Sequence, residues 1–212
     1  MHGFSELIEI ADTLNQSEGG CPWDLVQTFE TLRPYILEEA HEALEAIDSG
    51  KDEYIIEELG DLFYTVIFYA KVAEREKRFS MKHIIERLKA KLIRRHPHVF
   101  GEKKAASMEE VIHNWEKIKK EEKLDRKSAL DGIPKTLPSL QRAYKVLRRM
   151  KKKKYSAPKQ EEKTRADALA RQIYDIVQMA AEEEIDIESA FRTLLAKEEQ
   201  SFMSWELNST QP

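Results

Sequence analysis

Ten carboxylates fall between Glu38 and Asp61, and Lys51 is the one basic residue among them. Their spacing suits two helices, with Glu38, Glu39 and Glu42 on the first and Glu58 and Asp61 on the second. Like charges three or four residues apart on a helix repel. Two such rows brought face to face therefore need something positive between them. A hard divalent cation with oxygen ligands is the natural candidate, and Mg²⁺ takes one or two carboxylates while keeping positions for water and substrate phosphate.

The surrounding chain reads as helix throughout. Phe4, Leu7, Ile8, Ala11 and Leu14 recur at helical spacing, and residues 19–24 form a loop. A second helix starts between Thr31 and Pro34, where proline is tolerated in a first turn, and runs to Asp48 before the Ser49-Gly50 stop. A third spans about Asp52 to Arg78, and a fourth runs from the N-cap residue Ser80 to His96-Pro97. Ser107 with Glu110 forms a capping box for a fifth helix ending near Lys123. A turn at Asp131-Gly132 precedes helices expected over Leu137–Lys152, Glu161–Glu184 and Ile187–Trp205. No stretch alternates as a strand, so the expected class is all-α with short antiparallel connections.

Composition narrows the function. A net charge of −4 argues against a general nucleic-acid binder, and no stable nucleic-acid partner is expected. Cys21 is the only cysteine, so no intrachain disulfide forms and a reducing, cytoplasmic setting fits. The N-terminal residues lack the basic flank and apolar core of a signal peptide. The longest uncharged apolar run, Leu62 to Ala70, is half a membrane span, so no membrane role is expected.

Are the carboxylates a site or a wet surface? On a wheel at 100° per residue, Leu37, Ala40, Leu44 and Ile47 make an apolar stripe, with Glu38, Glu39 and Glu42 opposite. That helix alone is an ordinary amphipathic one. The next helix shifts the balance. Residues Leu62 to Ala70 are apolar all round and expected to be buried on every side. Glu58 and Asp61 then sit at the mouth of a buried segment, where carboxylates need a partner or a metal. Gly60 costs about 1 kcal/mol against alanine inside a helix, and a close backbone approach would explain it.

Lys91, Arg94 and Arg95 share a helical face. They read either as a solvated basic surface or, beside an acidic metal site, as the cations on the far side of a polyphosphate. The Lys151–Lys154 run reads as a solvated surface or loop tip. No side chain stands out as a covalent nucleophile. Water acidified by a metal is the simplest one, with a spare carboxylate taking its proton. Glu38-x-x-His41 matches the pair of di-iron bundles, but those need the pair twice. His96 and His98 suit loop packing and capping better than ligation. Trp23 and Trp115 are candidates for stacking on a base, or simply core residues.

Five blocks now stand out: Cys21-Pro22-Trp23-Asp24, Leu37-Glu38-Glu39-Ala40-His41-Glu42, Glu57-Glu58-Leu59-Gly60-Asp61-Leu62, residues 91–101 around Arg94-Arg95-His96-Pro97-His98, and Trp115-Glu116-Lys117-Ile118-Lys119. Together they resemble the MazG family of nucleoside triphosphate pyrophosphohydrolases, in the all-α NTP pyrophosphatase group. The resemblance covers residues 20–123. It implies Mg²⁺-dependent cleavage between the α and β phosphates of an NTP or dNTP, giving NMP and pyrophosphate, with Mn²⁺ as a possible substitute metal. It implies metal ligation by Glu39, Glu42, Glu58 and Asp61, with Glu38 in the same catalytic motif. Lys91, Arg94 and Arg95 correspond to positions near the phosphates, and Trp23, Trp115 and Lys119 to further substrate positions. It also implies a homodimer.

Family members often carry two such halves, and the chain divides accordingly into 1–126 and 127–212. The second is degenerate. It has no Glu-Glu-x-x-Glu helix, Gln172 stands where a glutamate belongs, and Gln200 and Ser201 replace the basic pair, leaving Asp175 and Lys197. A loss of catalysis there, with packing, dimerisation or regulation kept, is the expectation. Two rivals remain at this level: a non-catalytic helical interaction or regulatory module with a vestigial site, and a relative acting on phosphoribosyl-ATP or on dUTP or dCTP.

Overall fold

The computed structural model describes residues 2–101, 104, 107–122, 127–155, 158 and 161–209. Among these there are ten α-helices and no strand, as the periodicity requires. The chain separates into two units, Met1–Glu122 and Lys123–Pro212. The boundary expected after residue 126 falls next to residues 123–126, which lie outside the described set.

The first unit holds α1 (His2–Leu14), α2 (Pro22–Leu25), α3 (Arg33–Ser49), α4 (Asp52–Arg75), α5 (Met81–Arg95), α6 (Pro97–Phe100) and α7 (Met108–Glu121). Pro34 sits in the first turn of α3, and Gly50 ends it with a left-handed φ of 67°. Two short helices, α2 and α6, occupy stretches read as loops. Each begins on a proline, whose fixed φ pre-organises a first helical turn. Helix α4 stops at Arg75 rather than Arg78, because Lys77 takes a left-handed φ of 55° and reverses the chain. Ser80 then opens α5, its backbone N–H donating to His83 Nδ1 at 3.1 Å.

Helices α3 and α4 form the most extensive pairing of the unit. The buried line of α3 is Ala43 and Ala46, small residues that allow close approach. Leu37, Leu44 and Ile47 are 59%, 40% and 51% exposed, so the stripe on the wheel is not the packed face. Glu39 lies four residues before Ala43, on the buried line, whereas Glu38 and Glu42 are exposed. The apolar segment of α4 also differs from expectation. Thr65, Ile67, Phe68 and Ala70 are buried, but Phe63 is 44% exposed and Leu62 only partly covered. At that level Phe4 of α1, its ring 6.0 Å from that of Phe63, covers only part of this side of α4.

The core lies further along α4. Ala11, Ile67, Ala70 and Met81 form one cluster, and Leu32, Phe68 and Val72 another, with Tyr64 packed against both. Lys71 is buried with its charge matched by Asp12 at 2.6 Å and Glu74 at 2.7 Å. A buried cation demands such partners. Arg75 fastens the α2 loop, donating to the backbone oxygens of Asp24, at 3.3 Å, and of Gln27.

The second unit holds α8 (Ser139–Lys152), α9 (Arg165–Glu182) and α10 (Ile187–Ser209). Leu147, Val177 and Ala181 make its core. Helix α9 starts four residues later than the expected Glu161, because Thr164 and Asp167 form the capping box there. Gly132, at φ 76°, makes the turn before α8, and Arg149 donates to the carbonyls of Ala129 and Asp131, each at 2.9 Å. Of the Lys151–Lys154 run read as a surface or loop tip, Lys151 and Lys152 end α8 and Lys153 and Lys154 form a turn.

Candidate active site

Glu39 on α3 and Glu58 and Asp61 on α4 each bring a carboxylate oxygen within 4.8 Å of the others. Among the described residues this is the one group of carboxylate, histidine or cysteine side chains that could hold a metal. The convergence follows from the packing. Glu39 continues the Ala43–Ala46 line towards the start of α3, and Glu58 and Asp61 continue the Thr65–Phe68 line towards the start of α4.

The group is open to solvent, with Asp61 exposed and Glu39 and Glu58 half-buried, and no basic side chain pairs with it among the described residues. Burial, first, and then the neighbouring charges of Asp61, Glu42, Glu58 and Glu38 hold the Glu39 carboxyl above its ordinary range. Glu58 is raised in the same way, by burial and then by Glu42, Glu57, Asp61 and Glu45. Both shifts report that negative charge is disfavoured there, which a cation would reverse. Two oxygens on opposite sides of Mg²⁺ lie about 4.2 Å apart, given metal–oxygen distances of about 2.1 Å. Neighbouring oxygens on such an ion stand about 3.0 Å apart, so side-chain rotation would draw the three carboxylates, within 4.8 Å of one another here, around it, and oxygen donors of this kind suit a hard divalent ion. Glu42 stands close enough to act on both glutamates but outside the three-membered group, and Glu38 is exposed beside it.

No neighbouring helix of this chain makes the close approach considered for Gly60. A Cβ on Gly60 would meet nothing within 4 Å, because its face of α4 is open within this chain. No backbone approach explains it here. His41 is exposed and His96 and His98 are half-buried, and none of the three joins the carboxylate group. His96 caps α5, with Nδ1 2.6 Å from Leu92 O, and its ring stands 5.7 Å from that of His98.

The basic residues form a second constellation. Met81 and Ile84 of α5 join the Ile67–Ala70 cluster, so α5 turns back along α4. Near its end, Arg94 and Arg95 both grasp Glu122, just past α7. Arg94 donates from Nε at 2.8 Å and Nη2 at 2.5 Å, and Arg95 from Nε at 3.1 Å and Nη2 at 2.5 Å. These hydrogen bonds draw the Glu122 carboxyl down to about 2. The Arg95 guanidinium stands 6.0 Å from the Trp115 ring centroid, and Lys119 Nζ lies 3.9 Å over the same ring. Lys91 is half-buried one turn before Arg95. Thus Arg94, Arg95, Trp115 and Lys119, far apart in sequence, gather around one spot. Glu122 is the member that sequence reading passed over. Its only signal was an acidic residue three positions after Lys119.

Trp23 lies apart from that group. It is 48% exposed and packs edge-on against Tyr35 at 5.7 Å and against Phe68 at 5.9 Å. Tyr64, one turn after Asp61, has a buried hydroxyl with no hydrogen-bond partner among the described residues.

Residues 27–100 match the model of the MazG nucleotide pyrophosphohydrolase domain, a segment containing α3, α4 and α5 and hence both the carboxylates and the arginines. The chain belongs to the MazG family. It is 45% identical over 151 residues to the nucleoside triphosphate pyrophosphohydrolase of Escherichia coli K12, covering 70% of this chain and 57% of that protein. It is 42% identical over 144 residues to the nucleoside triphosphate pyrophosphohydrolase/pyrophosphatase MazG of Thermotoga maritima, covering 68% and 54%. The Mycobacterium tuberculosis nucleoside triphosphate pyrophosphohydrolase is 35% identical over 148 residues, covering 69% and 45%. A crystal structure of a MazG-related protein from Thermotoga maritima aligns at a TM-score of 0.48 with 32% identity, over 55% of this chain and 98% of that one. The chain thus spans little more than half the length of the first two MazG relatives. Trp23, before the matched domain, and Trp115 and Lys119, after it, lie outside the segment that defines the family.

Proposed function

We propose that this chain hydrolyses nucleoside triphosphates, ribo or deoxy, between the α and β phosphates, giving NMP and pyrophosphate with Mg²⁺ as the cofactor. The observation that carries the reading is the meeting of Glu39, Glu58 and Asp61 from two helices, in a chain of the MazG family. Glu39, Glu58 and Asp61 would hold the cation, with Glu42 one turn along α3 as a fourth ligand and Mn²⁺ an acceptable substitute. When bound, the cation supplies positive charge to the phosphate oxygens and lowers the pKa of a water molecule.

The chain's own groups do the rest. Glu38, the motif's carboxylate outside that ligand set, accepts the proton of the attacking water as the water oxygen bonds to phosphorus. The bridging P–O bond breaks and pyrophosphate leaves. Arg94, Arg95, Lys91 and Lys119 neutralise charge along the phosphate tail, and Trp115 or, apart from it, Trp23 offers a ring face to the base. No step uses a covalent intermediate.

The exposed apolar face supports a homodimer. Leu37, Leu44 and Ile47 on α3, with Ile56, Leu59 and Phe63 on α4, stand 40–73% exposed, more apolar surface than a lone helix pair keeps in water. A second copy would cover it and complete the burial that the Leu62–Ala70 segment lacks. The residues after 126 we read as a second half that has lost catalysis. Such an enzyme works where nucleotides are, in the cytoplasm. No helix among the described residues is long and apolar enough to cross a membrane.

The test is product analysis. Each NTP and dNTP is incubated with the protein and Mg²⁺, and NMP, NDP, phosphate and pyrophosphate are resolved. NMP with pyrophosphate is the expected pair, abolished by EDTA. NDP with orthophosphate would refute the bond assignment.

A further inference from the structure

Arg94 and Arg95 are the cations that the proposed function assigns to phosphate, yet the structure shows them holding a carboxylate. Which edges they use decides what this means. A guanidinium carries five N–H donors in a rigid fork. Glu122 takes only the side-on edge of each, Nε and Nη2, and does not use Nη1. The Nη1–Nη2 end is the edge that receives a phosphate in a bidentate, end-on fashion. Glu122 therefore need not be displaced when an anion arrives.

The position of Glu122 adds to this. Its side chain is 14% exposed and that of Arg95 17%, whereas Arg94 is 55% exposed. Two adjacent arginines on one helix repel, and each carries about 2 kcal/mol of rotamer entropy when loose. One largely covered carboxylate between them removes both penalties. It also fastens the end of α7 to the end of α5, which sets Trp115 under Arg95 and Lys119. Asymmetry follows: Arg95 is sandwiched and fixed, and Arg94 reaches outward.

We propose that Glu122 is a positioning residue, holding Arg94 and Arg95 by their side-on edges so that their Nη1 ends are presented to the phosphate tail. It touches no substrate itself and acts through the two guanidinium groups. This rests on the pyrophosphohydrolase reading. The opposite idea, a carboxylate that blocks the arginines until substrate expels it, predicts the reverse sign for KM and for the pyrophosphate inhibition constant.

The experiment is Glu122→Gln in the full chain, which keeps size and loses charge. With an NTP that the wild type hydrolyses, KM should rise about tenfold or more while kcat falls far less, as expected when a charge-assisted contact is weakened. The inhibition constant for inorganic pyrophosphate should rise in parallel. Glu122→Asp, which keeps the charge but shortens the reach, should fall between the two. Mn²⁺ affinity at Glu39, Glu58 and Asp61, read by electron paramagnetic resonance, should not change. Unchanged KM, a lower KM, or a matching loss of Mn²⁺ affinity would overturn the inference. If the wild type hydrolyses no nucleotide, the proposed function fails by itself. Calorimetric titration of pyrophosphate onto wild type and Glu122→Asp then still decides the role of Glu122, with equal affinities counting against it.

Discussion

Helix pair α3–α4 and helix pair α8–α9 are built alike, yet only the first gathers carboxylates. In both, two helices close on a short line of small and branched residues, Ala43 and Ala46 in one, Val177 and Ala181 in the other. In both, the longer helix carries an aspartate, Asp61 or Asp175, three residues after a side chain that is Glu58 in the first and Gln172 in the second. The decisive difference lies on the partner helix. Helix α3 offers Glu38, Glu39 and Glu42, whereas α8 has no acidic residue and carries Arg142, Lys145, Arg148, Arg149, Lys151 and Lys152. Asp175 instead lines a cleft of about 690 Å³ with Lys151, Lys154 and Arg171. Glu162 and Glu182 line the same cleft, but Asp175 joins no group of three acids that could hold a metal among the described residues. The proposed metal site thus depends on acids from both helices of the pair.

The sharpest way to break this comparison is to remove an acid from the first pair. Asp61→Ala or Glu39→Ala should lower kcat by about 10²-fold or more, the scale of other deletions of a preorganised electrostatic group. Full activity in either variant would reject the metal role. Glu42→Ala should cost at least as much if Glu42 swings in as a fourth ligand, and clearly less if it remains outside the group. Steady-state rates on the same substrate decide between them.

Dimerisation should give the next largest effect. Phe63→Asp would place a charge on the exposed apolar face and is expected to convert a dimer into a monomer in light scattering. Oligomeric state unaffected by this change would remove that face from the interface. In the second pair, Asp175→Ala and Gln172→Ala should leave turnover within about twofold of wild type, and a severe loss would show that α9 takes part in the chemistry.

Smaller effects concern stability. Glu39 is raised by burial and like charge, so its protonated form is favoured in the fold. Its stabilising contribution is present below the ordinary carboxyl value and lost as pH rises through the raised one. Without metal at neutral pH, Glu39→Gln should therefore raise Tm by about 1–3 °C, relieving repulsion of a few tenths of a kcal/mol per pair. Saturating Mg²⁺ should reverse the order. Glu122 has the opposite sign. Held at about 2 by Arg95 and Arg94, it contributes stability above its ordinary value of 4.5, lost as pH falls towards about 2. Glu122→Gln should flatten that part of the acid-unfolding curve, and an unchanged curve would mean that the pairing does not persist in solution.

Sequence alone settled that the chain is helical and where most helices begin and end, and it supplied the candidates for the acidic and basic groups. These follow from local causes: apolar spacing, proline in a first turn, a left-handed glycine, a capping hydroxyl. It also carried the family, because the blocks around Glu39, Asp61 and Arg95 recur together. It did not settle which face of α3 is buried. The wheel favoured Leu37, Leu44 and Ile47, but a helix packs where its partner can approach, and Ala43 and Ala46 allow that where leucines do not. That choice turned Glu39 inwards, left Glu38 outside and kept Phe63 half in water. Nor did it pair Arg94 and Arg95 with Glu122, since contacts 27 and 28 residues apart depend on how α5 and α7 return to each other. Short-range order is written in the sequence residue by residue, while the meeting of distant charges is decided only when helices pack.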